Sequence, residues 1–140
     1  MKILIINGPN MNLLGKREPE IYGRRSYEEL CAFLKELCPE IELFQSNHEG
    51  DIIDKLQTAD EEFEGVVINP AGYSHYSVAI ADAIRAMDIP CVEVHMTDIS
   101  KREEYRRFSV TGEACAKVFM GKGFESYREA VEYLEENGKA

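Results

Sequence analysis

The sequence predicts an α/β fold, in which a doubly wound sheet of five parallel strands lies between two layers of helices (three-layer α/β/α). Short apolar runs alternate along the chain with longer amphipathic segments, and the connections between them are short. The apolar runs are rich in Ile and Val, as expected of parallel strands buried on both faces. An alternating strand and helix order favours parallel pairing through helical crossovers.

Five apolar runs are the predicted strands, at residues 2–7, 41–46, 66–69, 91–95 and 116–120. Five short strands in a chain of 140 residues suit a flavodoxin-like sheet. No internal repeat, linker or low-complexity tract divides the chain. We therefore expect one catalytic domain that covers residues 1–140.

Capping signals predict where the helices begin and end. Ser26, followed three residues later by Glu29, forms a capping box that opens a helix ending before Pro39. Further helices are predicted at about 50–61, 77–87, 101–108 and 126–136.

Residues 8–25 form a long segment without a regular pattern, which we interpret as a lid over an active site. This segment carries amide, cationic and phenol side chains at Asn10, Asn12, Lys16, Arg17 and Tyr22.

Charge and cysteine content exclude several classes of function. The chain has 26 acidic and 16 basic residues and a net charge of −10, which would repel a phosphate backbone, so we expect no nucleic-acid partner. The four cysteines match no zinc spacing, and we interpret them as reduced thiols of a cytoplasmic protein. No apolar stretch is long enough to cross a bilayer or to serve as a signal peptide, so we expect no membrane association.

Several common site motifs are missing from the sequence. It contains neither nucleotide-binding glycine motif, G-x-G-x-x-G or G-x-x-x-x-G-K-[ST], and no G-x-S-x-G turn. A phospho-receiver of this fold would need carboxylates where Asn7 and Asn69 stand. The three histidines lie on separate segments, so we expect no metal site.

Polar clusters follow three of the predicted strands. They begin at Asn7, at Asn69 and at His95. Because ligands of parallel sheets bind beyond the carboxyl ends of the strands, the three clusters are expected to share one pocket. The second cluster, which runs to His75, could also be a simple strand-to-helix turn capped by Ser77.

Two pairs of residues suggest acid–base chemistry. Tyr22 lies five residues after Arg17, and a guanidinium favours the phenolate, which could act as a base. The alternative is an exposed loop tyrosine. His95 follows Glu93 by two residues, so both share one face of a strand, and the carboxylate could orient the imidazole. The alternative is a histidine that only fills the end of a strand.

Anion-binding groups are predicted in the segment after His95. Arg102 and Arg106 are four residues apart and would share one side of a helix, although such pairs are also common on solvated faces. The backbone at Thr97 could bind a carboxylate at the start of that helix.

Seven short motifs occur in order between residue 1 and about residue 110. They are Asn7-Gly8-Pro9-Asn10, Arg17-Glu18-Pro19-x-x-Tyr22-Gly23, Gln45-Ser46-Asn47-His48-Glu49-Gly50, Ile68-Asn69-Pro70, His75-x-Ser77-Val78-Ala79, Glu93-Val94-His95 and Arg102-Glu103-x-x-Arg106. Together they resemble the type II 3-dehydroquinate dehydratases. The match is specific because seven motifs keep their order and spacing.

The resemblance implies the reversible dehydration of 3-dehydroquinate to 3-dehydroshikimate in the shikimate pathway, which leads to chorismate and the aromatic amino acids. The family uses anti elimination through an enolate, with no metal, organic cofactor or Schiff base. By similarity, Tyr22 is the base and Arg17 keeps it ionised. Asn10 stabilises the enolate through a water, His95 protonates the departing hydroxyl, and Glu93 orients His95.

The resemblance also implies binding residues and an assembly. Substrate would be bound by Asn69, His75, Arg106 and the backbone of Met96 and Thr97, with Arg102 near the closing loop. The family forms trimers that assemble into dodecamers, in which Asp82 reaches the site of a neighbouring subunit. The chain departs from the family at Ala81, where arginine is usual, and at Thr97, where serine is usual.

One other class of function fits the same fold. A non-catalytic flavodoxin-like module could bind a small anion or a nucleotide in the same pocket. The joint presence of Tyr22, Arg17 and His95 favours the enzyme, because a binding module has no need for a base and an acid together.

Overall fold

The computed structural model describes residues 1–16 and 18–137, which contain a five-stranded sheet. Its strands are β1 (Ile3–Asn7), β2 (Ile41–Gln45), β3 (Gly65–Asn69), β4 (Cys91–His95) and β5 (Val118–Met120). Their order is β2-β1-β3-β4-β5, and every neighbouring pair is parallel. This is the flavodoxin-like order, so the predicted fold class and all five predicted strands are confirmed.

The helices are α1 (Pro19–Tyr22), α2 (Tyr27–Leu37), α3 (Glu49–Glu62), α4 (Val78–Arg85) and α5 (Phe124–Asn137). The predicted capping box is present at α2, where the Ser26 hydroxyl accepts a hydrogen bond from the backbone N–H of Glu29 and the Glu29 carboxylate accepts one from the N–H of Ser26. The Ser77 hydroxyl caps α4 by accepting from the N–H of Ile80 at 3.0 Å. Local sequence therefore sets where these two helices begin.

Two apolar cores, one on each face of the sheet, hold the layers together. Alternate residues of β1 face opposite sides, so Ile3 and Ile5 pack with α2 and α5, whereas Leu4 and Ile6 pack with α3 and α4. All residues of β1, β3 and β4 are buried. Burial on both faces explains why these strands are apolar apart from Glu93 and the residues at their carboxyl ends.

The predicted helix at residues 101–108 is wrong. Two short 3-10 turns, Ile99–Lys101 and Glu104–Arg106, replace it, and the backbone of Arg102 between them is extended. The Asp98 side chain accepts hydrogen bonds from both the N–H and the hydroxyl of Ser100. Such local bonds from a short polar side chain compete with a continuous helix. Arg102 and Arg106 therefore do not share a helix face.

The lid segment also differs from the prediction, because part of it is regular. Residues Met11–Leu13 form a 3-10 turn, and α1 carries Tyr22 at its last position. Pro19 stands at the beginning of α1, where its missing N–H costs nothing and its fixed φ suits a helix. A turn of helix this short has no apolar periodicity, so the sequence pattern did not reveal it.

A close backbone approach at Gly8 joins the ends of the two central strands. The N–H of Gly8 donates to the carbonyl of Asn69 at 2.8 Å. A Cβ at position 8 would lie 2.5 Å from the carbonyl oxygen of Pro70. Only glycine therefore fits between β1 and the turn that follows β3.

We expect Gly8→Ala to lower the free energy of unfolding by roughly 1–3 kcal/mol, because the backbone must move to admit the methyl group. Urea denaturation of Gly8→Ala and Gly50→Ala measures the difference. Gly50 is the control, since a Cβ there meets nothing within 4 Å in α3, and alanine should be neutral or stabilise by about 0.5–1 kcal/mol. Equal stabilities for the two variants would contradict the close approach.

Candidate functional site

The carboxyl ends of β1, β3 and β4 open into one cavity of about 140 Å³. This is the position at which ligands bind in open parallel sheets. Nine of the residues singled out from the sequence line the cavity: Asn10, Tyr22, Asn69, His75, His95, Met96, Thr97, Arg102 and Arg106. The tertiary structure thus brings together groups from four separate segments of the chain.

Tyr22 lies against the guanidinium of Arg102. Arg102 Nη2 donates to the phenol oxygen at 3.2 Å, and the guanidinium carbon lies 5.3 Å from the centre of the Tyr22 ring. A cation at this distance stabilises negative charge on the phenol oxygen. Sequence reasoning expected this cation to be Arg17, which lies outside the described residues. Arg102 is 80 residues away in sequence, so no local spacing could have revealed the contact.

His95 is oriented by Glu93 at the end of β4. The carboxylate Oε2 accepts from His95 Nε2 at 2.7 Å, and Glu93 is fully buried. A carboxylate can only accept, so Nε2 carries the hydrogen, and Nδ1 is the ring nitrogen that Glu93 does not engage. Glu93 itself does not line the cavity, and it acts on the cavity only through His95.

His75 lies beside His95 and is held by a backbone carbonyl. Their rings are stacked with centroids 6.4 Å apart, and His75 Nδ1 donates to the carbonyl of Phe108 at 2.9 Å. Burial lowers the pKa of His75, and the neighbouring His95 and Arg106 lower it further. The neutral ring therefore presents an unprotonated Nε2, which can accept a hydrogen bond from a hydroxyl group.

Asn10 is held in the left-handed region, with φ at 68°. The side-chain oxygen of Asn47 accepts from the N–H of Asn10 at 3.0 Å, which ties the lid segment to the end of β2. Asparagine tolerates this conformation better than other non-glycine residues. Asn47 was within a motif noted from the sequence, but its role in holding Asn10 was missed.

Asn69 is held in a buried polar network, which we call the tyrosine network, formed by Asn7, Tyr27, Asn69 and Tyr127. The Tyr127 hydroxyl donates to Asn7 Oδ1 at 2.6 Å and accepts from Asn69 Nδ2 at 3.0 Å, and Asn7 Nδ2 donates to Tyr27 at 3.4 Å. Asn69 Oδ1 accepts from the N–H of Ala71. Burial raises the pKa of Tyr127, and it raises that of Tyr27 to about 12, so both hydroxyls keep their protons.

Two more residues are implied by similarity, Asp82 and Arg17. Asp82 projects from α4 with an exposed side chain, 3.7 Å from Arg85, and does not line the cavity of its own chain. Arg17 is not among the described residues. Arg106, by contrast, reaches the cavity while its Nε lies 3.0 Å from the carboxylate of Glu103.

Residues 1–16 and 18–137 contain neither a candidate metal cluster nor a candidate membrane-spanning helix. No group of three or more His, Cys, Asp or Glu side chains in these ranges could hold a metal ion. None of the helices in the same ranges is long and apolar enough to cross a membrane.

A family model described as "Dehydroquinase class II" matches residues 1–135. The chain belongs to the class II dehydroquinase family. The resemblance identified from the seven motifs is therefore confirmed, and it extends through the last helix.

Relatives and solved structures of this family match almost the whole chain. A 3-dehydroquinate dehydratase of Clostridium acetobutylicum is 55% identical, over 91% of each chain. One from Clostridium botulinum is 51% identical, covering 96% of this chain and 95% of its own. A crystal structure of a type II dehydroquinase from Butyrivibrio crossotus superposes with a TM-score of 0.95, at 47% identity, covering 96% of this chain and 97% of that one.

The tyrosine network was missed by sequence reasoning, although one signal was available. Tyr127 is a polar-tipped side chain on the buried face of α5, and it has no access to solvent. A buried tyrosine usually finds a hydrogen-bond partner, so its position predicts a polar contact within the core of this dehydroquinase.

We expect Tyr127→Phe to lower the free energy of unfolding by about 1–3 kcal/mol, because Asn7 and Asn69 then lose a buried partner. Chemical denaturation followed by circular dichroism measures this. Tyr133→Phe on the same helix is the control, since no hydrogen bond of its hydroxyl occurs within the described ranges. The role of the network would be refuted if the two variants were equally stable.

Proposed function

We propose that this chain catalyses the reversible dehydration of 3-dehydroquinate to 3-dehydroshikimate, the shikimate-pathway step that leads to chorismate and aromatic amino acids. Membership of the class II dehydroquinase family and relatives named 3-dehydroquinate dehydratase support the substrate and the hydro-lyase class. One observation carries the mechanism: a phenol beside a guanidinium and an imidazole beside a carboxylate line the same cavity. A dehydration needs such a base and such an acid.

In the first step, the Tyr22 phenolate removes a proton from the carbon beside the ketone. The electron pair of that C–H bond moves toward the carbonyl, which becomes an enolate. Arg102, and Arg17 by similarity with the family, favour the ionised phenol. Asn10 stabilises the developing oxyanion through a water, since donors aimed at the oxyanion lower the barrier.

In the second step, His95 protonates the hydroxyl at the β-carbon, and the C–O bond breaks to release water. The enolate electrons form the new double bond, which is conjugated with the regenerated ketone. The two groups act from opposite faces of the substrate in an anti elimination. Glu93 stabilises the imidazolium and keeps its orientation, as a carboxylate does for a catalytic histidine.

Substrate hydroxyls and carboxylate would bind around these two pairs. The neutral His75 and the amide of Asn69 suit hydroxyl groups. Arg106 and the backbone of Met96 and Thr97 suit a carboxylate. The chain carries a net charge of −10, so guanidinium groups at the cavity are needed to attract an anionic substrate.

The proposed assembly is a dodecamer of trimers of one catalytic domain, residues 1–140, located in the cytoplasm. Free cysteines support a reducing compartment. An exposed apolar patch at the start of α4 and the adjoining turn supports self-association; its members are Tyr76, Val78, Tyr105 and Phe108, each at least 58% exposed. Asp82 lies four residues after Val78 on α4 and would reach the active site of a neighbouring subunit. Ala81 stands where arginine is usual in the family. It is fully buried within its own chain, so this difference leaves the exposed face of α4 unchanged.

Turnover by the wild type appears as new ultraviolet absorbance, because the product is a conjugated enone. We expect Tyr22→Phe to lower kcat by roughly 10²- to 10⁴-fold, since it removes the base. Tyr133→Phe, at a half-buried position of α5 that does not line the cavity, is the matched control and should retain full activity. Every absorbance assay contains a metal chelator, so the activity that is measured does not depend on a metal ion. A wild type that folds but produces no enone would favour a small-anion or nucleotide-binding module, and an active Tyr22→Phe would refute Tyr22 as the base.

We expect light scattering to give the wild type a mass of twelve chains, and Val78→Asp to lower that mass because a charge at the apolar patch must be desolvated on assembly. Lys35→Asp, on the exposed side of α2, is the control for adding a carboxylate and should leave the mass unchanged. A monomeric wild type would contradict the dodecamer. An unchanged mass for Val78→Asp would exclude the patch as an interface.

A further inference from the structure

Both oxygens of the buried Glu93 carboxylate accept hydrogen bonds from a segment outside β4. The hydroxyl of Ser109 donates to Oε2 at 2.5 Å, and the hydroxyl of Thr111 donates to Oε1. His95 Nε2 also donates to Oε2. We refer to Ser109, Thr111 and Gly112 together as the hydroxyl clamp.

The direction of the Ser109 hydrogen bond follows from its neighbours. The N–H of Gly112 donates to Ser109 Oγ at 2.9 Å, which occupies a lone pair and directs the hydroxyl proton toward Glu93. The segment is tied in place because the N–H of Val110 donates to the carbonyl of Ser74 at 2.7 Å. Thr111 has no access to solvent. Each hydroxyl is therefore a positioned donor.

Gly112 leaves room for these contacts. A Cβ at this position would lie 3.0 Å from Ser109 Oγ and 3.1 Å from Glu93 Oε2. Both distances are shorter than ordinary van der Waals contacts, so a larger residue would push the Ser109 hydroxyl and the carboxylate apart. The absence of a side chain at Gly112 is part of the clamp.

We propose that the hydroxyl clamp is a positioning device for the acid step: Ser109 and Thr111 hold the Glu93 carboxylate in place, so that Glu93 holds His95 in the productive orientation. This inference rests on the proposed function. A carboxylate without access to water loses its hydration, and donors must replace it if the group is to remain charged. The clamp supplies two donors, neither of which touches the cavity.

Within residues 1–16 and 18–137, the side chains that donate to the Glu93 carboxylate are those of His95, Ser109 and Thr111. Its neighbours in sheet register, Ile68 on β3 and Val118 on β5, are apolar. The charge of Glu93 also acts on two nearby titratable groups, His75 and the thiol of Cys91. Variants of the clamp leave these groups in place, so a change in pH dependence can be attributed to Glu93 and His95 as a coupled pair.

The test compares Thr111→Val with Thr111→Ser through the pH dependence of kcat. Valine keeps the shape and loses the hydroxyl, whereas serine keeps the hydroxyl. Because the acid step depends on the Glu93–His95 pair, loss of the Thr111 hydroxyl should change the pH profile of kcat, and serine should restore the wild-type profile. We expect Thr111→Val to lower kcat about tenfold at neutral pH with little change in KM, and Thr111→Ser to behave as the wild type.

Three outcomes would overturn the clamp: a folded Thr111→Val with the wild-type pH profile, an equal loss in both variants, or a loss confined to KM. Thermal unfolding shows whether each variant is folded. If Thr111→Val does not fold, Ser109→Ala carries the same expectation and the same refutation.

Imidazole NMR of the three histidines separates failure of the clamp from failure of the proposed function. With His95→Gln used to assign the His95 signals, these signals should move in Thr111→Val, because the ring is no longer held in place, but not in Thr111→Ser. This readout needs no turnover. A wild type without dehydratase activity would refute the function, whereas unmoved His95 signals in Thr111→Val would refute the clamp.

Discussion

Two amide side chains buried at the ends of the central strands constrain the site. The register pairs Asn7 with Asn69, and both are almost without access to solvent. Buried amides need hydrogen-bond partners inside the protein, and Tyr127 of α5 satisfies both at once. Because Asn69 then accepts from the N–H of Ala71, the same contacts hold the turn that carries His75. The positions of substrate-binding groups thus depend on a helix that does not line the cavity.

Charge is distributed so that opposite signs meet at the reacting groups. Glu93 is the buried anion, and it is surrounded by the imidazole of His95 and by two hydroxyl donors. Arg102 is a cation beside the Tyr22 phenol, within a chain that is otherwise acidic. The Glu93–His95 pair is buried, and electrostatic interactions there are stronger than in bulk solvent. The proposed base and the proposed acid therefore each have a separate charged partner, Arg102 for Tyr22 and Glu93 for His95.

Local rules account for the parts of the fold that were predicted correctly. The strands are largely apolar because they lie between two helix layers, and the capping residues Ser26 and Ser77 act over three residues of sequence. The helix predicted at 101–108 does not form, and the reason is also local. The Asp98 side chain accepts hydrogen bonds from Ser100, and the backbone of Arg102 is extended. Helix α1 was missed because four residues are too few to show a period.

The sequence by itself determined the fold class, the family and most of the residues that line the cavity. Polar side chains at the ends of parallel strands must converge, and the spacing within each motif is local information. Only the tertiary structure decided that Arg102 contacts Tyr22, that Tyr127 joins the two buried amides, and that Ser109 and Thr111 hold Glu93. These partners lie on separate elements that come into contact only when the helices pack on the sheet. No periodicity or short motif in the sequence predicts such contacts.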